Sequence, residues 1–269
     1  MRGPHNILRL IRTGATLERT GAMPVILNAL DAPKTIKFAA RFIVWPFQFL
    51  GRKGDKSLLP APRALTAMGP AYIKFGQILS TRPDVVGPEL AEQLRVLQDR
   101  LPPFSTSVAK QSFKLETGLD ADDVFSHFSE PVAAASIAQV HRGQLRESGH
   151  SVAIKVLRPE IERAFQRDID TFYFAARLVE FVSPKSRRLK PIDVITHFDG
   201  VVQGELDLRL ESASASEFSA NIRNDKGFSV PSINWSLSSR RVMTLDWADG
   251  LPMGDTDALA AAGHNLTEL

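Results

Sequence analysis

The sequence contains no cysteine, which excludes disulfides, zinc–thiolate sites and cysteine nucleophiles and is compatible with a reducing compartment. It contains no G-x-G-x-x-G, so a glycine-rich phosphate loop is not available. The first twenty residues lack an apolar core and are broken by charges, so no secretory signal is visible. No apolar run is long enough for a membrane span: the best candidate, residues 36–50, is short and carries Lys37 and Arg41. His127, His141, His150 and His197 show no metal-ligand spacing and read as surface or hydrogen-bonded histidines. There is no internal repeat and no low-complexity tract.

What is present is a globular composition. At 269 residues and 43% hydrophobic, the chain can bury one large core or two small ones, and 23% charged residues do not make a disordered tail. The net charge of +3 conceals an asymmetry: residues 1–56 hold ten Lys and Arg against three acids, and the remainder is mildly acidic. A basic, partly apolar segment of this kind suits an anionic surface, for which membrane lipid and nucleic acid both qualify. Residues 36–50 read as an amphipathic helix whose Phe38, Phe42, Ile43, Trp45, Phe47 and Phe49 either enter a lipid interface or pack on the body of the protein. The cluster Lys185, Arg187, Arg188 and Lys190 has no interleaved aromatics and reads as a solvated loop, with no nucleic-acid partner.

Periodicity orders the elements. Residues 63–80 read as helical. Pro83 and Pro88 break the pattern, residues 89–99 resume it, and residues 107–117 form a short helix closed by Gly118. Residues 124–129, 137–145 and 152–157 read as strands, with a turn at 147–150 between the second and third. A long helix over 160–182 follows. A second helical stretch runs from Pro191 to about residue 221, with Gly200 and Gly204 as its weak points. Two further strands are expected at 228–235 and 241–245.

The strongest local chemistry is Val152-Ala153-Ile154-Lys155, where a strand would direct one lysine between apolar neighbours; four residues alone also fit a surface lysine at a strand end. Ahead of it stands the small-residue run 131–141, whose turn could offer N–H groups to phosphates or could be a tightly packed alanine turn. Within it residues 133–141, with Lys155 fourteen residues beyond His141, resemble the alanine-rich nucleotide loop and phosphate-binding lysine of the UbiB family of atypical kinase-like proteins. The stretch 69–84, with Lys74 and Gln77, resembles that family's K-x-G-Q signature. Glu205-Leu206-Asp207 followed by Glu211 resembles its E-x-D motif and lysine-pairing glutamate.

The resemblance covers about residues 60–250 and implies an α+β fold: a protein-kinase-like small lobe with an N-terminal helical K-x-G-Q extension and inserted helices. It implies a nucleotide site of Val132, Ala133, Ala134, Ala135, Ser136, Ile137, Ala138, Gln139, Val140 and Lys155, with Glu211 as ion-pair partner of Lys155. Lys74 and Gln77 would lie on the extension, faced by Glu205 and Asp207. On one continuous helix Glu205 and Asp207 would be about 200° apart and could not serve one pocket. Residues 244–250 resemble the hinge strand and linker that read adenine.

The implied layout is a basic membrane-facing arm (1–56), the extension (57–118), the nucleotide lobe (119–250) and the start of a second lobe (251–269). That second lobe, with its catalytic and metal-binding aspartates, is missing, so the chain is expected to be a truncated form with an exposed apolar lobe interface and no catalytic residue of its own. Phe198-Asp199-Gly200 is not D-F-G, and His141-Arg142-Gly143 is not a catalytic H-R-D. The implied ligand is ATP or ADP, with magnesium only alongside the missing lobe. The implied role is ATP hydrolysis in support of ubiquinone biosynthesis, with other proteins of that process as partners, at the cytoplasmic face of the inner membrane. A peptide substrate is disfavoured because the extension would occlude it. The competing readings are a non-enzymatic lipid- or quinone-handling module or inactive fragment, and an ordinary protein-kinase small lobe.

Overall fold

The computed structural model describes residues 4–29, 32–98, 102–182, 188 and 190–266. Helices α1 (Pro4–Thr20), α2 (Ala22–Ala29) and α3 (Lys34–Val44) lead into a 3-10 segment, Trp45–Leu50. Helices α4 (Pro60–Met68), α5 (Pro70–Ser80), α6 (Pro83–Val86) and α7 (Pro88–Leu94) follow, then α8 (Thr106–Thr117) and α9 (Ala121–Val124). Strands β1 (Phe125–Ala134), β2 (Ala138–Leu145) and β3 (Ser151–Leu157) precede α10 (Ile161–Val182), α11 (Pro191–Glu205) and α12 (Leu208–Asn221). Strand β4 (Val242–Asp246) and helix α13 (Thr256–Ala261) complete the described chain.

The prolines act where their missing N–H costs nothing. Pro60, Pro70, Pro83, Pro88 and Pro191 each stand at a helix start, where that donor would have no intrahelical partner. Residues 63–80 are therefore not one helix. Gly69 takes φ 125°, which ends α4 before Pro70 opens α5. The break in 191–221 is likewise not at Gly200 or Gly204. It falls at Leu206, and Asp207 caps α12 by accepting from the Arg209 backbone N–H. Gly118 closes α8 in the left-handed conformation, as its position predicts.

The four strands form an antiparallel sheet in the order β1-β2-β3-β4. Strand β1 runs past the expected end at 129 into the alanine run, pairing Ala133 with Val140 and Ala134 with Gln139. The expected strand at 228–235 is absent. Within it only Ile233 bridges to Leu245, and Trp235–Leu237 is a 3-10 turn. Of the basic loop, Lys185 and Arg187 lie outside the described residues.

Alternation of side chains divides the sheet's contacts. Val152, Ile154 and Val156 face α8 and bury with Phe113 and Phe125. Leu157 and Ala138 face the opposite layer, with Phe165 and Ile169 of α10, Phe198 and Val202 of α11, and Leu208 of α12. The extension has its own core of Leu65, Tyr72, Ile73, Leu90 and Leu94. Aromatic rings join the two units: Tyr72 meets Phe172 edge-on at 4.7 Å, and Phe75 meets Phe198 at 5.2 Å. At about 1.5–3 kcal/mol per buried large side chain, these rings hold α5 firmly against α10 and α11.

The first helix belongs to this body, with Ala15, Thr16 and Thr20 buried and Thr13 hydrogen-bonded to Tyr72 at 2.8 Å. The aromatics of α3 and the following 3-10 segment do not pack on the body. Phe38 is 74% exposed, Trp45 69% and Phe49 73%. No described helix is long and apolar enough to cross a membrane.

Candidate nucleotide site

Strand β3 places Lys155 on the face opposite Ile154 and directly across from Val140 of β2. An ammonium there needs a partner, and α12 supplies one: Lys155 Nζ lies 2.6 and 2.7 Å from the two carboxylate oxygens of Glu211. The lysine is 23% exposed and the glutamate 47%, so the pair is open to solvent on the glutamate side. Its contribution to folding is therefore small, about 0–1 kcal/mol, and its geometry suits a cation held ready for a second anion.

The pair lies in an open cavity of about 790 Å³, within the range of small-molecule sites. The turn between β1 and β2 forms one wall with Ala135, Ser136, Ile137 and Ala138. The Ala135 N–H donates to the Ala138 carbonyl at 2.8 Å, which tightens the turn without glycine. Helix α5 forms another wall with Lys74 and Gln77. Lys74 pairs with Glu205 at 2.5 Å. The Gln77 amide donates to the Leu97 carbonyl at 2.8 Å, and its oxygen accepts from the Ser136 hydroxyl at 3.4 Å. The extension is thus tied directly to the alanine turn.

The structure gathers Ala135, Ser136, Ile137, Ala138, Lys155, Glu211, Lys74, Gln77 and Glu205 around this cavity. It does not bring the others there. Val132, Ala133 and Ala134 belong to β1. Val140 shares the sheet face of Lys155. Gln139 points to the far face, where its amide group bonds the backbone of Phe104 and its Nε2 meets His141 Nε2 at 2.8 Å. Because His141 Nδ1 lies 2.8 Å from the Ser129 carbonyl, that nitrogen carries the proton and Nε2 accepts from Gln139. Burial holds the imidazole below its usual pKa, so it is neutral.

Asp207 is the clearest departure. It stands at the break as the cap of α12, outside the cavity lining, and binds the Arg209 guanidinium at 2.6 and 2.9 Å. That hydrogen bonding holds its carboxyl below the usual range. The geometric objection to Glu205 and Asp207 sharing a pocket holds, for a different reason: they stand on two helices.

The cavity also includes Ile78 and Thr81, which lie within the 69–84 stretch but have no role implied by it, and Leu210 and Ser214, which lie outside every motif. Helical spacing carried the signal: Ile78 and Thr81 extend the Lys74–Gln77 stripe, and Ser214 is one turn beyond Glu211. In the stretch expected to resemble a hinge, β4 pairs with β3, and the Trp247 backbone N–H donates to the Ser151 carbonyl at 3.0 Å. Among the described residues no group of three His, Asp or Glu is arranged to hold a metal ion.

Comparison with known proteins gives consistent matches. A family model described as the ABC1 atypical kinase-like domain matches residues 96–269. The protein named probable protein kinase UbiB from Marinobacter nauticus is 38% identical over 245 residues, which is 90% of this chain and 44% of that protein. Proteins of the same name from Aliivibrio fischeri and Aeromonas salmonicida are 40% identical over 204 residues and 39% over 237. They cover 76% and 84% of this chain, and 38% and 43% of their own lengths. The chain thus spans about two fifths of these relatives. A solved Rv3197–erythromycin complex from Mycobacterium tuberculosis aligns with a TM-score of 0.49 at 27% identity, over 70% of this chain and 46% of that one.

Proposed function

This chain belongs to the ABC1 atypical kinase-like family, and on that premise we propose that it is an ATP- or ADP-binding module in which Lys155 contacts nucleotide phosphates. The observation that carries this reading is the Lys155–Glu211 pair beneath the alanine turn, in a cavity large enough for a nucleotide. A phosphate approaching from the cavity meets a lysine already oriented, with the small side chains of Ala135 and Ser136 leaving room beside the backbone. Lys74 and Gln77 hold the extension over the same cavity, which favours a small substrate or water over a peptide as the acceptor. The whole protein would hydrolyse ATP in support of ubiquinone biosynthesis, with a second lobe supplying the catalytic and magnesium-binding aspartates. We assign residues 1–56 to an anionic membrane surface, 57–118 to the extension, 119–250 to the nucleotide lobe and 251–269 to the start of the second lobe. The exposed aromatics of 38–49 support a place at the membrane surface.

Titration with ATP and ADP tests the nucleotide reading. Charge-assisted contacts of about 1.5–3 kcal/mol predict a loss of roughly 10- to 150-fold in affinity for Lys155→Ala. The melting temperature should change little, because the pair is half exposed. Ala135→Gly should alter nucleotide affinity more than stability. Equal affinities for wild type, Lys155→Ala and Ala135→Gly would remove this cavity as the nucleotide site. Vesicle binding that persists in Lys155→Ala, in a chain that binds no nucleotide, would favour the second reading of a non-enzymatic lipid- or quinone-handling module.

A further inference from the structure

A second cavity of about 450 Å³ lies between α1, α5 and α10, on the side of α5 away from Lys74 and Gln77. Its lining holds four arginines, Arg9, Arg12, Arg52 and Arg167, against one acid, Asp168. We propose that this cavity is a binding site for a phosphate-bearing anion, either the headgroup of an anionic lipid or a free oligophosphate.

Three observations carry the assignment. The first is placement. Arg9 and Arg12 fall with Thr13 and Thr16 on one stripe of α1, so a single helix face turns toward the cavity. Arg52 is set at the rim by its own backbone N–H, which donates to the Thr16 hydroxyl at 3.1 Å. Gly51 before it lies so close to α1 that an added Cβ would collide with the Ala15 carbonyl.

The second is pairing. Other guanidinium groups divide between carboxylates, as Arg41 does with Glu18, Arg209 with Asp207 and Arg241 with Glu162, and backbone carbonyls, as Arg63 and Arg158 do. Among the described residues, none of the four cavity arginines makes an ion pair with a carboxylate. They donate to backbone carbonyls instead: Arg9 to Arg167, Arg12 to Leu50, Arg52 to Ala67 and Met68, and Arg167 to Arg163. A guanidinium has five N–H groups, so most donors on each remain for a ligand. Their forked geometry matches the oxygens of a phosphate.

The third is the lone acid. Asp168 makes no ion pair with any of the four, and burial pushes its carboxyl up to about 6 despite their proximity. Four like charges around one small space repel one another, and an anion inside it relieves that repulsion. Tyr72, held by Thr13, lies at the floor.

The site is independent of the nucleotide reading and narrows the anionic-surface reading to defined side chains. The test uses the Lys155→Ala chain, so that the nucleotide cavity does not contribute. Pyrophosphate is titrated by calorimetry. In parallel, the protein is sedimented with vesicles of phosphatidylcholine, with or without phosphatidylglycerol. Binding in either arm should weaken at least tenfold when Arg12→Gln and Arg167→Gln are added, and should tighten several-fold with Asp168→Asn. Pyrophosphate binding alone identifies a free anion as the ligand; binding to phosphatidylglycerol vesicles alone identifies a lipid headgroup. Vesicle binding lost only on replacing the exposed aromatics, and insensitive to the arginines, overturns the site while leaving the membrane reading intact. Binding in neither arm also overturns it, whatever the arginine variants do.

Discussion

Asp168→Asn should stabilise this protein at neutral pH, and the gain should vanish in acid. The Asp168 carboxyl is half-buried on α10 and makes no hydrogen bond among the described residues, so the amide loses no partner. Loss of hydration raises its pKa from 3.8 to about 6, against the opposing pull of Arg167, Arg9 and Arg52. The folded chain therefore binds this proton more tightly than the unfolded chain does. Protonation makes its full contribution to stability below 3.8, and that contribution is lost as pH rises through about 6. The difference corresponds to at most about 3 kcal/mol. The carboxyl borders an open cavity, and solvent screening there reduces this to about 1–2 kcal/mol. For a chain of this length that is an increase of roughly 2–6 °C in Tm. Wild type and variant are melted side by side from pH 4 to pH 8, so that all other titrations cancel. A difference that is independent of pH, or a less stable variant at pH 7.5, would refute the reasoning.

Three further perturbations probe other parts of the structure. His141 should show the Nδ1–H tautomer and a pKa below 6.5 by nitrogen-detected NMR, because it donates to Ser129 and accepts from Gln139. With its folded pKa depressed by burial, its contribution to stability is present above 6.5 and declines as pH falls toward the folded value; a protonated ring at pH 7 would contradict the network. Gly51→Ala should cost about 1–3 kcal/mol, measured by urea unfolding, because the obstructing atoms are α1 backbone and cannot rotate away. Replacing exposed Phe42 and Trp45 together with serine should abolish binding to anionic vesicles while leaving Tm within about 2 °C; undiminished binding would exclude this surface.

Much of the candidate nucleotide site could be read from local patterns, and the reasons are particular. A β-branched run flanking one lysine indicates a strand with that lysine on a single face, which is where Lys155 is found. Lys74 and Gln77 share a helix face by spacing alone. The alanine run was harder to divide. Ala133 and Ala134 resemble Ala135 chemically, but cross-strand pairing draws the first two into β1 and leaves only the third in the turn. Asp207 depended on whether one helix or two ran from 191 to 221. The two glycines looked weakest, yet the chain turns at Leu206, where burial of Leu206 and Leu208 and the capping carboxylate of Asp207 favour a break. The stretch 228–235 has strand-like composition, but only Ile233 reaches β4.

Local sequence settled what depends on a few neighbouring residues: the helix start at Pro191, the close of α8 at Gly118, the strand bearing Lys155 and the stripe bearing Lys74 and Gln77. The resemblance of three short motifs was also legible in order and spacing. Tertiary structure decided how distant groups meet. Glu211, which the resemblance already paired with Lys155, reaches it across 56 positions. Gln139 turns from the nucleotide cavity to Phe104, and Arg167 joins Arg9, Arg12 and Arg52 around a space that no single segment encloses. A helix or strand sets the direction of its own side chains through backbone geometry. What those side chains face is set by packing between elements, here by the rings that seat α5 against α10 and α11.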